Sequence, residues 1–155
     1  MRRVVDADDH VRLAVWAADC AEHVLSFFED EYPEDDRPRR AIEACREWAD
    51  TRVFRMSDVR ASSLGAHAAA RSAPAGSLAQ FAARAAGQAA ATPHAPAHAL
   101  GPAWYGAKIA DLAGLGDERT WQFERLPADL RAYVLAVASA KPGLAAALRY
   151  PGMTW

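Results

Sequence analysis

Apolar residues in this chain recur at steps of three and four, and period-two alternation is absent, a pattern that predicts helices and almost no strand. Between about Asp9 and Phe28, Leu13, Ala17, Cys20, Val24 and Phe27 fall on one face of a first helix. Asp8 or Asp9 is its natural cap, since a carboxylate suits the positive end of the helix dipole. Glu29 to Asp36 then reads as an acidic loop. A second helix opens with Pro38 near its first position, with Asp36 as the nearby cap. Ala41, Cys45, Trp48 and Ala49 point inward, while Arg39 with Glu43 and Arg46 with Asp50 stand one turn apart outside.

Ser57 predicts the start of a third helix reaching about Ser72, and Pro74, Gly76 and Ser77 punctuate the chain after it. A fourth runs to about Ala91, with Leu78, Phe81, Ala82, Ala85 and Ala89 on one face. A fifth is expected to begin after Thr92, with Thr92 as cap and Pro93 and Pro96 among the first four positions, where an N–H has no helical partner anyway. Trp104, Tyr105, Ile109 and Leu112 give it bulk, and Gly114 to Gly116 ends it. Beyond lie a short charged helix from Asp117 to Arg125, a helix opened by Pro127 that buries Leu130, Val134 and Val137, a break from Lys141 to Gly143, and a last short helix reaching Tyr150.

The expected fold is therefore all-α: one domain over residues 1–155, a compact bundle of about six or seven helices, compatible with stacked helical hairpins. Residues 1–8 and 151–155 are expected to fray unless Trp155 docks. About a quarter of the residues are Ala, the best helix former. From Ala61 to Ala107 the only formal charges are Arg71 and Arg84, which predicts central helices packed on more than one side.

Composition narrows the function classes. The net charge of −2 carries no basic excess and weighs against nucleic acid as the main partner. No apolar run approaches the roughly 20 residues of a membrane span. Two cysteines without a C-x-x-C motif, and a basic N-terminus with no apolar stretch behind it, point to the cytoplasm and to reduced thiols.

Candidate chemistry is sparse. His94 and His98 are four apart and would share a helix face, with His67 as a third metal ligand. However, Ala95 stands where a zinc protease carries its Glu, so no metal and no cofactor is expected. Asp19 is positioned to pair with Arg37, Arg39 or Arg40 and to fix the first two helices. A catalytic reading would make Asp19 or Glu22 a base, but neither a nucleophile nor a phosphate loop accompanies them. Cys20 and Cys45 both fall on inward faces and read as small buried hydrophobes. The acidic loop holds six carboxylates in eight residues, around Tyr32.

Several sequence words occur in a particular order. They are Trp16 followed by Asp19-Cys-Ala-Glu22, Arg37-Pro-Arg39, Ala66-His67, the run from Gly87-Gln88 through Thr92 and His94 to His98, Tyr105 to Lys108, and Gln122 to Pro127. In this order and spacing the chain resembles a bacterial immunity-protein family, the fifth-numbered immunity class and its relatives. Pro96 departs from the pattern, and nothing beyond Ala140 matches it. The resemblance implies a cytosolic antidote to a polymorphic toxin: a non-enzyme that binds one cognate toxin stoichiometrically. On that reading Glu29, Asp30, Glu31, Tyr32, Glu34, Asp35 and Asp36 would rim the toxin site, steering the partner by charge. Two alternatives stay open from the residues themselves: a small helical metal-dependent enzyme centred on His67, His94 and His98, or a helical scaffold that binds another protein.

Overall fold

Helix follows helix along the chain, and no strand forms among the described residues. The structure, a computed structural model, describes residues 5–151 and residue 153. The helices are α1 (Ala7–His23), α2 (Ser26–Glu29), α3 (Arg37–Thr51), α4 (Met56–Ser72), α5 (Leu78–Ala91), α6 (Leu100–Ala113), α7 (Glu118–Arg125), α8 (Arg131–Ser139) and α9 (Pro142–Leu148). Single 3-10 turns at Pro96–Ala99 and Ala128–Leu130 lead into α6 and α8.

Helix α1 is apolar on two sides and contributes to both cores. Ala14, Ala18 and Ala21 enter one core with Ala41, Ile42 and Cys45 of α3 and the alanines of α4 and α5. Leu13, Trp16, Ala17 and Cys20 enter a second core with Leu100 and Ala103 of α6, Leu130, Val134 and Val137 around α8, and Leu148. The first core is mostly methyl groups, so its helices approach closely; the second is filled by larger side chains. As the sparse charge predicted, α5 packs on α1, α3, α4 and α6, and eight of its residues are buried.

Several boundaries differ from expectation, each for a local reason. Asp6, not Asp8 or Asp9, caps α1, its carboxylate accepting from the Asp9 N–H at 2.8 Å. Helix α1 thus begins at Ala7, inside the stretch 1–8. The first helix stops at His23 and restarts at Ser26, and Val24, Leu25 and Phe28 are all buried around the break. Thr92 closes α5 instead of opening the next helix, its hydroxyl donating to the Gln88 carbonyl at 3.1 Å. His94 consequently lies in a turn, and the helix carrying Trp104 begins only at Leu100. Helix α4 starts at Met56 with no side-chain cap, so Ser57 is inside it. Leu112, expected inside, is 62% exposed. At the end of the chain Met153 packs on the second core, whereas Trp155 lies outside the described residues.

The second core encloses a polar network that the apolar pattern did not foreshadow. Gln122 and Glu118 of α7 are 0% and 2% exposed. The Gln122 amide nitrogen donates to the Ala103 carbonyl at 3.1 Å and to Glu118 at 3.3 Å, and its oxygen accepts from the Tyr150 hydroxyl at 2.7 Å. The Trp16 indole N–H donates to the Gln122 carbonyl at 2.9 Å. Gly106 makes room for this amide: a Cβ there would stand 2.6 Å from the Gln122 nitrogen.

Gln122→Ala should lower stability by about 2–4 kcal/mol, because it opens a cavity and removes three buried side-chain hydrogen bonds. Gly106→Ala should cost about 1–3 kcal/mol through overpacking. Urea unfolding of both variants checks this, and wild-type midpoints would show that the network is not a keystone.

Candidate functional site

The acidic loop is less negative than its sequence suggests, because the start of α3 folds back onto it. Arg39 holds Glu29 through two bonds of 2.7 Å, Arg37 holds Asp35 at 2.7 and 2.9 Å, and Arg40 lies 3.9 Å from Asp36. The guanidinium groups hold the Glu29 and Asp35 carboxyls below their ordinary values. Asp30, Glu31 and Glu34 remain as exposed carboxylates. Tyr32 is half-buried, its ring stacked 5.0 Å from that of Phe28, so only part of it is offered outward.

Asp19 does not pair with Arg37, Arg39 or Arg40. Its partner is Arg46, at 3.0 Å, which also grips Glu22. The reason is helical register: Arg46 lies further along α3, level with Asp19 on α1, whereas the arginines at its start are engaged by Asp35, Glu29 and Asp36, with Arg39 also 3.8 Å from Glu22. A second pairing on α1 was not foreseen either. His23 bonds the buried Glu118 at 2.7 Å and stacks on Trp121 at 3.6 Å and 3°, and Arg125 covers Trp121 at 4.1 Å. Asp19, Glu22, His23, Trp121 and Arg125 line an open groove of about 440 Å³.

The three histidines do not converge. His67 accepts through Nδ1 from Arg84 at 2.9 Å and lies against Gly87, whereas Nδ1 of His98 faces the Gln88 oxygen at 3.0 Å. Gly87 and Gln88 are neighbours on α5, roughly 100° apart, so the two rings lie against different sides of that helix. His94 and His98 have centroids 6.4 Å apart. No group of three His, Cys, Asp or Glu side chains suited to a metal occurs among the described residues. Both cysteines are buried, with burial pushing the Cys20 thiol well up and Cys45 up to about 12, the reverse of what a nucleophile needs.

One exposed apolar patch is not foreshadowed by the helical periodicity. Residues 51–58 form an unbroken exposed run, in which Val53 is 60%, Phe54 43% and Met56 39% exposed. Arg52 enters it with φ at 57°, a left-handed conformation that side chains other than glycine adopt at some cost. The available signal was two large apolar residues in a stretch with no helical period; periodicity passes over such residues. Beside the loop, Trp48, Val53, Val59 and Pro93 line a hollow of about 380 Å³.

The molecule is thus an all-helical bundle whose buried polar groups serve helix packing and whose distinctive surfaces are charged or apolar patches. The chain belongs to the family described as "Imm-5 like putative immunity protein", whose profile matches residues 3–129. No curated protein and no solved structure matches the chain. No helix among the described residues is long and apolar enough to cross a membrane.

Two predictions concern this chemistry. Asp19→Ala should cost only about 0.5–1 kcal/mol in chemical unfolding, since the pair is part-exposed and Glu22 still holds Arg46; a loss of several kcal/mol would make Asp19 a buried keystone. Burial lowers the pKa of His67 and His98, helped by Arg84 and Arg71 at the first and by His94 and Lys141 at the second. Their folded values lie below an unfolded value of about 6.5, so the unfolded chain takes up protons first as pH falls. The stability they support is complete above about pH 6.5 and is lost on acidification through the lowered folded values. The loss in Tm between pH 7.5 and 5.5 should shrink in the double variant His67→Gln/His98→Gln, and an unchanged loss would refute the assignment.

Proposed function

We propose that this chain is an immunity protein that acts in the cytoplasm, binding one cognate toxin stoichiometrically and silencing it without a catalytic step. Family membership over residues 3–129 carries this reading. It is supported by what the polar groups do: the histidines, Glu118 and Gln122 hold helices together, and the thiols are buried. The metal-dependent alternative on His67, His94 and His98 is less well supported, because His67 and His98 stand against different sides of α5.

The surface we propose for the toxin is the loop from Glu29 to Asp36. Asp30, Glu31 and Glu34 provide the field that steers a basic partner, and Tyr32 provides a partly exposed aromatic edge. Glu29, Asp35 and Asp36 are tied to α3 and fix the shape of the loop. A specific observation favours adding a second contact: the exposed Val53, Phe54 and Met56 lie at the other end of α3. That helix has 15 residues, about 22 Å at 1.5 Å per residue. An interface of ordinary size, about 800 Å² per partner, reaches both ends.

Co-expression with the toxin encoded beside it, scored for survival, tests the function directly. Asp30→Asn/Glu31→Gln/Glu34→Gln should slow association severalfold and flatten its salt dependence, with dissociation little changed. Val53→Ser/Phe54→Ser should instead speed dissociation. Failure of the wild-type chain to protect against or bind that toxin would overturn the function. Wild-type kinetics in both variants would move the interface elsewhere.

A further inference from the structure

A cavity of about 610 Å³ opens where α5, α6 and α9 meet. Its size is that of a site for a small organic molecule, and its composition is of the same kind. Leu100, Trp104, Val137 and Leu144 supply apolar wall, while Gln88, His98, Tyr105 and Lys141 bring the polar groups that could orient a ligand. No carboxylate lines it, and Lys141 is the only formal charge that does. Lys141 is exposed, and no ion pair of its ammonium occurs among the described residues.

The polar groups are positioned before any ligand arrives. Gln88 is held in place by Gly101, where a Cβ would lie 2.6 Å from the Gln88 side chain. The Gln88 oxygen faces His98 Nδ1 at 3.0 Å, so a neutral His98 donates from Nδ1 and keeps a lone pair on Nε2. Trp104 is steadied by Lys108, whose ammonium lies 4.4 Å from the indole centroid and is not among the groups lining the cavity. One wall, with Gln88, His98 and Trp104, belongs to the span shared with the family. The other, with Val137, Lys141 and Leu144, comes from α8, α9 and the turn between them, beyond residue 129. The C-terminal hairpin thus turns one face of a family domain into a pocket.

We propose that this cavity is a binding site for a small ring-bearing carboxylic acid. Its carboxylate pairs with Lys141, its apolar body lies between Trp104 and Leu144, and a donor on the ligand reaches His98. A single ammonium, the one formal charge of the lining, balances a monoanion such as a carboxylate and leaves a phosphate dianion half-compensated, and the His98 acceptor suits an N–H or O–H on the ligand. This site is independent of the toxin-binding reading.

Indole-3-acetate is a suitable probe, since it combines a monoanion, a bicyclic body and one N–H. Titration followed by calorimetry and by amide and indole NMR should show saturable binding, with the largest shifts at the Trp104 indole and the Leu144 amide. Neutral indole-3-acetamide should bind about tenfold more weakly for want of the charged pair, and 1-methylindole-3-acetate about three- to tenfold more weakly for want of the donor. Lys141 is exposed, so Lys141→Gln should fold normally and should bind indole-3-acetate no better than the wild type binds the amide. The proposal fails if indole-3-acetate does not saturate, if acid and amide bind alike, if Lys141→Gln binds as wild type, or if the shifts centre on Trp121 and Arg125 instead.

Discussion

A single buried residue, Gln122, ties the second half of the bundle to the first through its side chain and its backbone carbonyl. Gln122 is fully buried, and both donors and the acceptor of its side chain are engaged: the Ala103 carbonyl on α6, Glu118 one turn earlier on α7, and the Tyr150 hydroxyl at the end of the chain. Its backbone carbonyl accepts the indole N–H of Trp16, from the centre of α1. Four parts of the chain therefore meet at one residue. A buried polar group left without partners is destabilising, so any rearrangement that separates one of these parts loses bonds it cannot regain from water. Glu118 extends the constraint outward to His23. The apolar packing of the second core is permissive about register; this amide is not.

The same device recurs twice. Gly106 seats Gln122, Gly87 seats His67 and Gly101 seats Gln88, each glycine standing where a Cβ would fall within 2.7 Å of the polar side chain. In an alanine-rich bundle helices come close enough that even a methyl group fills the gap between them. A polar side chain enters such a seam only where the facing residue has none. The words that carry the family resemblance fall largely on these sites: Ala66-His67, Gly87-Gln88 with Thr92 and His98, and the Gln122 motif. The resemblance is thus written mainly in the interior, in residues that hold helices at fixed separation. The loop residues proposed to meet a partner lie outside those words.

Charge is distributed unevenly over the outside. The loop between α2 and α3 and the outer edge of α1 gather carboxylates, about half of them answered by arginines of α3. Between Asp58 and Asp111 there is no carboxylate at all, and the formal charges there are those of Arg60, Arg71, Arg84 and Lys108. A molecule of nearly balanced net charge thus presents an acidic end and a mildly basic, aromatic flank. These surfaces can meet partners of different chemistry without competing.

The sequence by itself determined the helical class, the order of the helices and most inward faces, because alanine content and a three-to-four period are local properties of the chain. Ser77, Pro38 and Gly114 mark boundaries for equally local reasons, of capping, of a missing N–H and of a left-handed terminus with φ at 72°. The all-helical immunity-type reading was legible as well, through the order of words from Trp16 to Pro127. Tertiary structure decided the rest. The break at Val24 carries no breaker residue and exists because Val24, Leu25 and Phe28 are all drawn into one core. Asp19 found Arg46 because the crossing of α1 with α3 sets which turns face each other, and Glu118 found His23 because α7 ends up beside the last turn of α1. Thr92 closed a helix instead of opening one, its hydroxyl bonding back to the Gln88 carbonyl. Spacing along a chain specifies a helix and its stripe, but which polar groups meet across a seam depends on crossing angle and separation, and those exist only once the helices are packed.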